Sequence, residues 1–164
     1  MKKILNALVL SLALGLSSAA YAKMDMKKSD MKMSSTDKVV AMAQIVNTSG
    51  KKIGVASFLS TDNGVKISVQ VMGLTPGKHG IHIHQVGKCD APDFKSAGGH
   101  FNPSKHEHGL MNKKGSHNGD MANIEIDKSG NGSVIMENKM ISLGSGTNSL
   151  LKLDGTSIII HAKA

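Results

Sequence analysis

The sequence predicts an all-β sandwich or barrel, and three observations carry that expectation. Val65, Ile67, Val69 and Val71 alternate with Lys66, Ser68 and Gln70, a period of two that buries one face of a strand. Turn chemistry punctuates the chain at Asp62-Asn63-Gly64, Thr75-Pro76-Gly77 and Gly130-Asn131-Gly132, where residues tolerant of tight turns separate short apolar segments. No segment holds a helical period, and the 18 glycines suit a fold with many turns.

Taken in order, Met1 to Ala22 has a lysine pair, a largely apolar run from Ile4 to Leu16, and Ala20-Tyr21-Ala22. That is the small-x-small pattern of a secretory signal peptide, so export to the bacterial periplasm is expected. The run is shorter than the about 20 residues of a membrane span, no cysteine follows the cleavage site to carry lipid, and no integral membrane association is expected. Residues 23–37 form a Met/Lys-rich tail with too little apolar bulk to fold. Met24, Met26, Met31 and Met33 make two Met-x-Met pairs there, which read either as a copper-capturing arm, because thioethers favour Cu(I), or as a low-complexity linker. A single β domain then spans 38–164. Its strands are expected near Val39 to Val46, Ile53 to Leu59, Val65 to Val71, His79 to Val86, Asn123 to Asp127, Ser133 to Glu137 and Ser157 to Ala162. Gly87 to Gly119 interrupts this rhythm, and a loop of that length in a compact domain usually carries function.

Composition excludes several classes. All 20 basic residues are lysines, two of them in the leader, against 12 acidic residues. Planar bidentate recognition of phosphates and bases relies on arginine, so no nucleic-acid partner is expected. The remaining positive balance suits attraction of small anions. Beyond Tyr21 the aromatic residues are Phe58, Phe94 and Phe101, which leaves no platform for stacking bases or sugars. Asn47-Thr48-Ser49 and Asn131-Gly132-Ser133 fit the glycosylation pattern but carry little weight beside a bacterial-looking leader.

The eight histidines carry the chemistry. His82 and His84 stand two apart on an expected strand, so both imidazoles share a face while Ile81 and Ile83 face the core. The pair also fits two solvated histidines. The following loop adds His100, His108, His117 and Asp120, three imidazoles and a carboxylate of the kind that holds tetrahedral zinc, with Gly98, Gly99, Gly109 and Gly119 beside them to let the backbone converge.

Four motifs follow one another: His79-Gly80-Ile81-His82-Ile83-His84, Ala97-Gly98-Gly99-His100-Phe101-Asn102-Pro103, His117-Asn118-Gly119-Asp120 and Ile159-Ile160-His161. In these, residues 38–164 resemble the copper-zinc superoxide dismutase family, and most nearly its bacterial secreted branch. The resemblance implies a Greek-key, immunoglobulin-like β-sandwich or barrel. It also implies dismutation of superoxide to dioxygen and hydrogen peroxide with copper and zinc as cofactors. Position by position, His82, His84, His100 and His161 match the copper ligands that carry catalysis. His100, His108, His117 and Asp120 match the zinc set, with His100 bridging the metals. His79 matches a structural position that holds loop backbone, and His106 has no secure counterpart, leaving it a substitute ligand beside His108.

The chain departs from the family pattern after His161, ending at Ala162-Lys163-Ala164. The family continues with an acidic residue behind the ligands, an arginine beside copper, a second cysteine and a closing eighth strand. Without the arginine, lysines must attract superoxide and turnover is expected to be slower. Cys89 matches the family's loop cysteine, yet the chain holds no second one, so the loop disulfide, typically worth about 2–5 kcal/mol in small secreted domains, cannot form within it. Without the acidic residue the ligand imidazoles lose orientation, at a typical loss of roughly 10- to 100-fold in affinity or activity. Without the eighth strand a sheet edge is open, which invites either pairing with a second copy as a homodimer or aggregation. The alternative function is a non-catalytic periplasmic copper/zinc-binding protein, and a third reading is a dismutase copy whose translation ends early.

Overall fold

The computed structural model describes residues 6–11 and 41–164; the tail at 23–37, with its Met-x-Met pairs, and the leader apart from residues 6–11 lie outside them. The alternation at Val65 to Val71 becomes β4 (Gly64–Val71), whose inward residues Val65, Ile67, Val69 and Val71 are fully or almost fully buried. β4 pairs antiparallel with β3 (Lys52–Thr61) across a tight hairpin in which Thr61 faces Gly64. Gly64 has φ +136°, and a side chain there would run into the Asn138 carbonyl, so glycine is required by both conformation and space. The Thr61 hydroxyl accepts from the Asn63 N–H and donates to Glu137, fixing the turn to the neighbouring β8 (Gly132–Asn138).

The remaining strands are β1 (Asn6–Ser11), β2 (Ala41–Val46), β5 (Gly77–His79), β6 (Ile81–His84), β7 (Ile124–Ile126) and β9 (Ser157–Ile160). All named pairings are antiparallel, in the order β5-β7-β8-β4-β3-β2-β1-β9-β6. The ends of this order, β5 and β6, are separated by Gly80 alone, so the chain itself links them although no ladder closes there. Ile45, Phe58, Ile67, Ile81, Ile83, Ile124, Ile158 and Ile160 from across the order meet in one core, as in the expected sandwich.

Three elements differ from the expected pattern. The run from His79 to Val86 is divided at Gly80, because β5 pairs with β7 and β6 with β9. Gly80 donates to the Lys163 carbonyl at 2.9 Å and accepts from the His161 N–H at 2.8 Å, so the ladder changes partner at that residue. The last strand ends at Ile160, which leaves His161 immediately beyond it. Asn6–Ser11, within the segment read as a leader, pairs with both β2 and β9.

The long loop is anchored to the sheet. Ile158 and Ile160 face the main core while Ile159 faces the opposite way, against Phe94 and Ala97, with Val46 and Cys89 packed alongside. A one-turn 3-10 helix, Lys95–Ala97, supplies Ala97. This second core sets the loop on the face that carries the histidines.

Candidate metal centre

Sheet and loop meet at two backbone bridges, His82 with Asp120 and His84 with His100. His100 and Asp120, near the two ends of the histidine-bearing loop, are thus fixed beside β6. Gly119 sits at this junction: it donates to the Phe101 carbonyl and accepts from the Ile83 N–H, and a side chain there would meet the Ile83 carbonyl.

On one side of the site, the His84 ring donates from Nδ1 to the Gly98 carbonyl at 2.8 Å. That bond fixes the tautomer and leaves Nε2 as a lone pair. His84 Nε2, His82 Nδ1 and His161 Nε2 are all buried without a hydrogen-bond partner. Buried polar atoms are rarely left this way, because each loses its hydration for nothing. Unpartnered imidazole nitrogens are free to serve a metal ion, and the Gly98 carbonyl holds the His84 ring as a carboxylate does in other metal sites. His84, His100 and His161 offer ligand atoms within 4.8 Å of one another. The His82 ring lies 4.9 Å from that of His161 and stacks on His100 at 4.1 Å.

On the other side Asp120, whose side chain is only 1 % exposed, is the hub. Its Oδ2 accepts from the backbone N–H groups of Gly109 (2.8 Å) and His117 (3.1 Å). Its Oδ1 faces Nδ1 of His108 (3.0 Å), His100 (3.2 Å) and His117 (3.5 Å). Nδ1 of His117 is also 3.3 Å from Nδ1 of His100. Three ring nitrogens crowding one carboxylate oxygen make an arrangement that a divalent cation would satisfy and protons alone would not. His82, His100, His108 and Asp120 place ligand atoms within 4.8 Å of one another. His100 is common to this group and the first, so the two sets interlock through a single imidazole.

The sequence from Lys52 to the last residue carries the same signature as the fold: a profile of the copper/zinc superoxide dismutase (SODC) family matches residues 52–164. The chain belongs to the copper/zinc superoxide dismutase family. Copper-zinc superoxide dismutase 1 of Aquifex aeolicus is 50% identical over 121 residues, covering 73% of this chain and 72% of its own. The copper-zinc superoxide dismutase of Caulobacter vibrioides is 36% identical over 125 residues, covering 74% and 72%. A superoxide dismutase-like protein from Bacillus subtilis has a crystal structure that superposes with a TM-score of 0.72 at 40% identity, covering 75% of this chain and 83% of that one. Copper and zinc are the cofactors of the family, and the clustered histidines and Asp120 of this dismutase chain could hold metal ions.

Other histidines have different tasks. His79 lies between carbonyl oxygens, with Nδ1 2.6 Å from His161 and Nε2 2.8 Å from Thr75, holding backbone beside a candidate ligand. His106 is exposed and turned away from the cluster, its Nδ1 donating to the Ser116 carbonyl at 3.2 Å. Asn102 braces its backbone by accepting from the His106 N–H and donating to the His106 carbonyl. Sequence reasoning missed the Gly98 carbonyl and the two backbone amides on Asp120, because main-chain partners leave no trace in residue type. It also missed Asn123 and Lys163, which line a cavity of about 370 Å³ in front of His82, His100, His108 and His161. Among the described residues no helix is long and apolar enough to cross a membrane.

Electrostatics add a pH dependence. Burial holds His82 down to about 3, helped by its neighbours His100 and His161. Burial likewise holds His84 down to about 4, against the Gly98 hydrogen bond that favours its charged form. Burial also lowers His161, with His100 and His108 adding to it, and lowers His100 against the Asp120 carboxylate, which favours the charged ring. Lowered values mean that the unfolded chain takes up protons which the folded, metal-free chain refuses. Stability is therefore fully present above the ordinary value of 6.5 and is lost as pH falls towards the folded values of about 4 and about 3. The urea midpoint of metal-free protein is expected to be lower at about pH 5 than at about pH 7.5, and equal midpoints would contradict this account.

Proposed function

We propose that this chain is a copper- and zinc-dependent superoxide dismutase: two superoxide anions and two protons give dioxygen and hydrogen peroxide. The observation that carries the site assignment is that three imidazole nitrogens, His82 Nδ1, His84 Nε2 and His161 Nε2, are each buried without a hydrogen-bond partner. With His100 they would hold copper; His100, His108, His117 and Asp120 would hold zinc. Copper when bound supplies the one-electron redox change, and zinc a Lewis acid that lowers the pKa of a shared imidazole.

The protein's own residues supply position and charge. His100 Nδ1 faces Asp120 and His117, which leaves Nε2 as the atom at which a proton is held and released. β6 and the backbone of His161, pinned to Gly80, keep the copper-side rings from turning. Lys163 is exposed at the mouth of the cavity, where an ammonium group attracts a small anion.

The leader pattern at residues 1–22 and the bacterial origin of the relatives in Aquifex and Caulobacter support export to the periplasm, with 23–37 as a tail ahead of the β domain at 38–164. A homodimer through the sheet edge would have to displace β1 from between β2 and β9. The test is metal analysis beside a superoxide assay on purified protein. Bound copper and zinc with cyanide-sensitive turnover is the expected result; both metals bound without turnover would return the chain to the non-catalytic metal-binding alternative.

A further inference from the structure

β1 has a strand on each side. Ala7 to Ser11 pair in register with Val46 to Met42 of β2, and Asn6 and Ala7 pair with Ile160 and Ile159 of β9. Both pairings are antiparallel, so β2 and β9 face each other across one strand's width, about 10 Å or two inter-strand spacings. With β1 in place both flanking strands pack against apolar cores. Ala41, Ala43 and Ile45 of β2 are buried, as are all four residues of β9. Backbone N–H and C=O groups left unpaired in such a layer lose hydration without replacement, which is costly.

The segment that fills this gap suits it by composition. Ala7-Leu8-Val9-Leu10 is uncharged, apolar and free of proline, so every residue of it can donate to a ladder on either side. Its pairing partner Ile160 directly precedes His161, so order in this slot bears on a residue of the candidate metal centre.

We propose that the space between β2 and β9 is a strand-acceptor slot, that Asn6–Ser11 of the unprocessed chain is its occupant, and that occupancy holds β9 and His161 in place. An N-terminal segment that reads as an export leader thus doubles as a strand of the sandwich. Its removal presents two unpaired edges that accept an extended, apolar, uncharged segment antiparallel to both.

The test uses the full chain and its Leu8→Pro/Val9→Pro variant. Leu8 and Val9 pair with Ile45 and Gln44 of β2, one residue past the Asn6 and Ala7 pairs with β9, so the two prolines remove N–H donors and break the extended backbone next to both ladders. Hydrogen exchange is followed at Ala41–Val46 and Ser157–Ile160, with the β3–β4 hairpin as internal reference. In the variant the β2 and β9 amides should exchange on the order of 100-fold faster while the hairpin is unchanged. A synthetic peptide carrying residues 4–13 with added lysines should restore the slow rates. The conservative Leu8→Val variant should leave them alone.

Equal exchange in parent and proline variant overturns the proposal. So does protection that survives only as protein concentration rises, because a second copy is then the occupant. If the proline variant unfolds throughout, recovery of hairpin and β2/β9 protection on adding the peptide supports the slot, and failure to recover overturns it. Exchange is read without turnover, so an inactive chain can still pass this test and an active one can fail it.

Discussion

His100→Ala is expected to abolish superoxide dismutation and to empty both metal sites. His100 belongs to each of the two donor groups, its Nδ1 lies against Asp120 and His117, and its ring stacks on His82 at 4.1 Å. Truncation removes one ligand from each set, and takes away the ring that separates them. Loss of a residue merely behind a ligand typically costs roughly 10- to 100-fold in affinity or activity, and loss of a shared ligand should exceed that. Metal content after dialysis, read with turnover in a superoxide assay, checks this outcome. Retention of zinc at parental levels would mean that His108, His117 and Asp120 suffice, and that the bridging role is wrong.

Asp120→Asn separates the two sides. The carboxylate serves ring nitrogens through Oδ1 and the amides of Gly109 and His117 through Oδ2. Burial opposes its charge, but the Gly109 N–H and the charges of His108 and His117 outweigh that and hold it below the usual carboxylate range. An asparagine has one acceptor oxygen. Whichever face it serves, its amide hydrogens point at the donors or the ring nitrogens on the other. A buried donor left without a partner costs about 1–3 kcal/mol, so the metal-free protein should unfold at lower temperature or denaturant. Zinc should be lost while copper is largely retained, since His84 and His161 belong to the donor group without Asp120 and their Nε2 atoms make no hydrogen bond with it. Thermal unfolding and separate copper and zinc analysis check both parts; equal loss of the two metals would contradict the division.

What the sequence made legible follows from which interactions are local. The period of two at Val65 to Val71 survives as β4 because the core is built from alternate residues of paired strands. His82 and His84 are readable as a pair for the same reason. The division at Gly80 was not readable, since a change of ladder partner depends on β7 and β9, which lie far along the chain. Nor was β1. The run from Ile4 to Leu16 is apolar almost without interruption, and such a run has no period from which a pairing could be read. At the site, residue types and spacing named the donors, whereas the convergence of His108 and His117 on Asp120 depends on main-chain hydrogen bonds from Gly109 and His117. His106 shows the limit of spacing: two residues from His108, it faces Ser116 instead.

The pinning of His161 to Gly80, with His82 and His84 on a ladder strand, has a thermodynamic meaning. These rings are carried by backbone that folding has already ordered, so little conformational entropy remains to be lost when a ligand arrives. His108 and His117 stand on loop backbone outside the strands, gathered by one carboxylate, and a cation there can add its binding free energy to folding itself. One half of the centre is a preorganised cradle; the other is a clasp, and the metal that closes it also tightens the loop that carries it.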